Sequence, residues 1–140
     1  PRPPRSTPKP SSAASDVYKR HVENGYLLEH ESGQLYLEPH GFLDPTLPEQ
    51  PLDAVITPMV DLGLPAFGTF VKGRSVAAEL VQRFQPATML ASTSGGDVRF
   101  SGALSGILQM NGSVEQTGRD LPTSTRWLDP SPGERLVLKP

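Results

Sequence analysis

Glu38 and His40 are the residues whose types and spacing come closest to chemistry in this chain. A carboxylate and an imidazole two positions apart can share a proton or hold a divalent metal. They lie in Leu35-Tyr36-Leu37-Glu38-Pro39-His40-Gly41, where a short apolar run stops at a proline. Proline cannot donate a ladder hydrogen bond, and Gly41 lets the backbone turn. The pair is therefore expected on a loop at the exit of a strand, where side chains commonly act. The bland alternative is local: Glu38 caps or pairs within its own loop, and His40 packs at the surface.

Other chemistry is thinner. His21 and His30 complete the histidines, and none of the three stands in HxH, HxxxH or HExxH spacing. With no cysteine, neither a disulfide scaffold nor a cysteine zinc site is possible. Ser92-Thr93-Ser94-Gly95-Gly96-Asp97 has glycines but no lysine, and matches neither a P-loop nor a dinucleotide fingerprint. Gly102-Ala103-Leu104-Ser105-Gly106 lacks the strand–turn–helix setting of a nucleophile elbow.

The elements that must position Glu38 and His40 follow from periodicity. Residues 26–28 and 35–37 read as a hairpin with a polar tip, Glu31-Ser32-Gly33-Gln34. Residues 53–57 read as a buried strand closed by Pro58. Residues 75–85 read as a helix, with Ala77, Leu80, Val81 and Phe84 on one stripe. Glu79 and Arg83 form an i,i+4 pair on its other face, Ser75 is its expected cap, and Pro86 its stop. Residues 87–91 read as a second buried strand, so strand, helix and strand make a βαβ unit with parallel neighbours. Between them, residues 59–71 hold one charge and several glycines and prolines. They are expected as a loop or short helix on the core, with an exposed contact patch of Leu62, Leu64, Phe67 and Phe70 as the alternative. Further on, Val98 and Phe100 suggest a short strand. Residues 103–110 suggest a second helix ended by Asn111-Gly112. Residues 125–128 and 135–138 suggest a terminal hairpin, with Trp127 packed at the core or an edge.

A chain of 140 residues, 36% of them apolar, with 16 prolines and 13 glycines, supports one modest domain rich in turns. The net charge of −2 gives no reason to expect nucleic acid. Residues 1–22 carry five Lys or Arg against one acid, whereas residues 23–71 carry eight acids and no Lys or Arg. The acidic half reads as a solvated face, or as a docking surface for a basic partner or a cation. Residues 1–22 form a Pro-, Ser- and basic-rich leader, expected to be extended or disordered, with the flavour of an organelle transit peptide. No apolar run is long enough to span a membrane.

Residues 23–28 followed by 35–41, then 53–59 (DAVITPM), 64–74 (LPAFGTFVKGR), the helix and 87–96, resemble a metallo-β-lactamase-like hydrolase of a cyanobacterial and plastid branch. The resemblance covers residues 23–140. It implies an α/β fold, the C-terminal half of an αβ/βα sandwich. In that family an HxHxDH motif of the first half supplies most metal ligands, and nothing here matches it. Glu38 or His40 would stand near the bridging acid, and Ser92-Thr93-Ser94 where a last histidine belongs. The implied reading is a degenerate, pseudoenzyme-like accessory subunit of a larger assembly, without a cofactor. Other protein subunits would cover its open sheet face, and any membrane association would be indirect. The expected location is the plastid or chloroplast, or otherwise the cytoplasm. The alternative is a metal-dependent hydrolase whose first half is missing from this chain, using zinc, manganese or iron.

Overall fold

In a computed structural model, residues 25–92, 101–102 and 106–138 are described. The leader at 1–22 and the strand expected at Val98 and Phe100 lie outside these residues.

The protein is α/β. β1 (Tyr26–His30) and β2 (Gly33–Leu37) form the expected hairpin, with a tighter turn of Glu31 and Ser32 alone. β3 (Ala54–Pro58) lies parallel to β2, taking Pro58 into the strand rather than ending before it. β4 (Asp61–Leu64) and β5 (Gly68–Lys72) follow as an antiparallel hairpin. This corrects the loop or short helix expected at residues 59–71. Gly63, Pro65 and Gly68 do not merely break a helix; they sit at a bulge and a turn between two short strands.

α1 (Gly73–Phe84) comes next, then β6 (Thr88–Ser92), parallel to β3. The βαβ unit is present, with β4 and β5 inserted into its crossover. Ser75 is not the cap, because the helix starts two residues earlier with Lys72 in the cap position. Asp61 serves the first turn instead, accepting from the Arg74 N–H at 3.1 Å. Arg83 does not make its helical ion pair. Its guanidinium donates to the carbonyl oxygens of Asp44 (2.8 Å), Pro45 (3.0 Å) and Leu47, which ties the proline loop to the helix.

β7 (Gln109–Asn111) pairs with β4, so Met110 lies in a strand and not in the expected second helix. A helix does follow, α2 (Val114–Asp120), capped by the Ser113 hydroxyl, which accepts from the Gln116 N–H at 3.1 Å. β8 (Arg126–Leu128) then pairs parallel to β6. The terminal hairpin is therefore a correction: residues 135–138 form no strand. They are held by the Thr88 hydroxyl donating to the Leu138 carbonyl at 2.8 Å, and by Arg126 donating to the Val137 carbonyl.

One sheet has the order β1-β2-β3-β6-β8 and a smaller one the order β5-β4-β7. Register places Leu27, Tyr36, Val55, Met89 and Trp127 in one row across the larger sheet. That row is covered by Val76, Ala77, Leu80, Val81 and Phe84 of α1 and by Val114 of α2. Tyr36 and Phe84 stack with ring centroids 5.4 Å apart. No helix among the described residues is long and apolar enough to cross a membrane.

Candidate functional site

β2, β3 and β6 run parallel, so their carboxyl ends share one side of the sheet, where open α/β sheets bind ligands. Glu38 and His40 leave β2 at this side, as the sequence predicts. Glu38 continues the ladder by one step, donating its N–H to the Ile56 carbonyl at 2.8 Å. Its side chain is 1% exposed. Oε1 accepts from the His40 N–H at 2.9 Å and Oε2 from the Gly41 N–H at 2.6 Å. The Thr57 hydroxyl approaches Oε2 at 3.5 Å. The carboxylate thus folds back on its own loop and satisfies two backbone donors of residues 40 and 41.

Gly41 has φ of +75°, and a Cβ there would meet the Lys72 backbone nitrogen at 2.8 Å. The loop is pressed onto the start of α1 at a distance that only glycine permits. His40 is left exposed at the rim. A hollow of about 380 Å³ beside it is lined by His40, Phe42, Phe70, Lys72, Val76 and Glu79.

The local reading of Glu38 is the one this geometry carries: it is a loop-closing acceptor. A metal would be offered one imidazole and the remaining lone pairs of an engaged carboxylate, short of the usual three protein ligands. Among the described residues no group of three or more His, Cys, Asp and Glu is placed to hold a metal ion. His30 stays at the hairpin tip, where Nδ1 meets the Ser32 hydroxyl at 2.6 Å. Burial, then the charges of Glu38 and Asp44, push the Tyr36 phenol above its ordinary value.

The contact patch divides. Phe67 is 85% and Phe70 53% exposed, and Leu64 is half-buried. Leu62 is buried in the core with Val71, its partner in the ladder, and is corrected from surface to interior. The bulge between Leu62 and Gly63 shifts the register of the hairpin just beyond that pair.

What the residue reading missed is a second row on the larger sheet. Tyr26, Leu37, Ile56, Leu90 and Leu128 are in register across all five strands, on the face away from α1. Tyr26 is 53% exposed, and Leu28 in the next row 51%. Among the described residues no helix lies over this face. The segment Val137–Leu138 crosses one end of it and leaves a groove of about 690 Å³ against Leu28, Leu35 and Ala54. The period-two alternation of Tyr26 and Leu28 around Leu27 was the available signal, since both sets are apolar. Compared with protein-family models, with curated proteins and with solved structures, the chain matches none.

Proposed function

We propose that this chain is a degenerate, metallo-β-lactamase-like half that serves as a structural, accessory subunit, docking its open sheet face on another protein. One observation carries the reading: the apolar row from Tyr26 to Leu128 runs across five strands with no helix of the described chain above it. Parallel strands are ordinarily covered on both faces, because both sides of their ladder are apolar. The site at the strand ends supports the non-catalytic side of the proposal, since Glu38 is occupied in holding its own loop. The leader's composition extends the proposal to a plastid assembly, which a fluorescent fusion would check.

The test is a photo-crosslinking residue placed at Leu37, with metal analysis of the same preparation. A crosslink to one recurrent protein, lost when Ile56→Lys charges the face, is the expected result. Stoichiometric zinc, manganese or iron that disappears in Glu38→Ala or His40→Ala would overturn the reading in favour of a metallohydrolase.

A further inference from the structure

β1 is the outermost strand of the larger sheet, and among the described residues nothing pairs with its far side. The two-residue turn makes His30 and Gly33 the closing hydrogen-bonded pair. Hydrogen-bonded pairs therefore recur at Leu28–Leu35 and Tyr26–Leu37. The backbone groups of Leu27 and Glu29 consequently point outward, away from β2. Gln34 obeys the same alternation. It faces away from β1, its N–H donating to Asp53 Oδ2 at 2.8 Å and its C=O accepting from the Asp53 N–H at 3.2 Å.

Natural sheets blunt such an edge with a proline, a lysine, a bulge or a covering element. β1 is Tyr-Leu-Leu-Glu-His, with unbroken register and none of the first three. We propose that two copies of this chain join antiparallel through β1, about a two-fold axis passing through Leu28. The edge is self-complementary in that arrangement. Leu27 of each copy meets Glu29 of the other, so the outward N–H and C=O groups find each other. Tyr26 falls opposite His30, and Leu28 faces its own copy. Placing the axis at Glu29 instead would oppose two carboxylates, and placing it at Leu27 would leave His30 beyond the paired stretch. Only the Leu28 axis pairs all five residues and keeps the glutamates apart. It also joins the two open apolar rows into one surface spanning both sheets.

Two five-residue strands bury less than the roughly 1,200–2,000 Å² of a stable interface, so the dimer is concentration-dependent. The inference rests on the strand edge and stands apart from the reading of the sheet face.

The absence of cysteine makes the experiment direct. Leu28→Cys places a single thiol on the axis, in a non-hydrogen-bonded pair with Cα atoms about 4.5 Å apart, within reach of a disulfide. Under mild oxidation Leu28→Cys forms a covalent dimer at least tenfold faster than Val137→Cys, whose position is also exposed. In the cysteine-free chain, Glu29→Pro removes one outward donor and no bond to β2. Sedimentation should then shift from a monomer–dimer mixture to monomer, with unchanged far-UV circular dichroism. Equal or absent crosslinking at the two cysteines, or a dimer that survives a folded Glu29→Pro, would overturn the proposal. Should Glu29→Pro unfold, the crosslinking ratio alone decides.

Discussion

The five-stranded sheet carries two apolar rows, and the chain covers only one of them with helices. On one face, Tyr36, Val55 and Met89 are wholly buried beneath α1. On the other, Leu37, Ile56 and Leu128 are half-buried and Tyr26 is exposed, although the strands are the same. The difference is one of connection. The described crossover helices, α1 and α2, both contribute to the same core, so the second face has only the tail at Val137–Leu138 across one end. An apolar face left in this way gains free energy whenever something removes it from water, by about 25 cal/mol per Å² of apolar area. The first face holds the fold together, and the second is available for association.

Substitutions on the two faces should separate by this logic. Phe84→Ala, beneath the covered row, should cost about 3–5 kcal/mol in urea unfolding, because it empties the contact with Tyr36. Glu38→Ala should cost about 1–3 kcal/mol by leaving the His40 and Gly41 donors unserved, with Glu38→Gln in between. A protease-sensitivity assay around residues 39–42 would show the loosened loop directly.

Tyr36 tests the same buried face through pH. Its folded phenol ionises above its unfolded value of about 10, so the folded state keeps the proton longer. Stability is therefore whole below that pH and declines as the pH climbs toward the folded value. Tyr36→Phe should flatten this decline in thermal melts followed by circular dichroism. On the open face, Leu28→Ser and Tyr26→Ser should change monomer stability by no more than about 0.5 kcal/mol. The same holds for Phe67→Ser at the β4–β5 turn. A cost at Leu28 comparable to that at Phe84 would erase the distinction between the faces.

Much of the covered face is legible in the amino-acid sequence. The stripe Ala77, Leu80, Val81 and Phe84 identifies α1 and its buried side, and the runs at 53–57 and 87–91 give β3 and β6. The exit loop at Glu38 is legible too, because Pro39 and Gly41 end the strand. Elements whose signal is short or shared are not. β4 and β5 hold four and five residues around glycines that serve a bulge and a turn as readily as a helix break. α2 has one buried apolar side chain, Val114, and otherwise packs through Gly118, where a Cβ would stand 2.3 Å from the Trp127 ring. No hydrophobic stripe announces such a helix. β8 joins the sheet by parallel pairing with a strand far back in the chain, which local turn signals cannot reveal. The openness of the second face is likewise a property of the crossovers and not of any single segment.

The account rests on that second face being uncovered from within, and carbene footprinting of the dilute, monomeric chain measures it most directly. Labelling should be strong at Tyr26 and Leu28, measurable at Leu37 and Ile56, and at background at Tyr36, Val55 and Met89. Protection of Leu37 and Ile56 equal to that of Val55 and Met89 in the isolated monomer would contradict it.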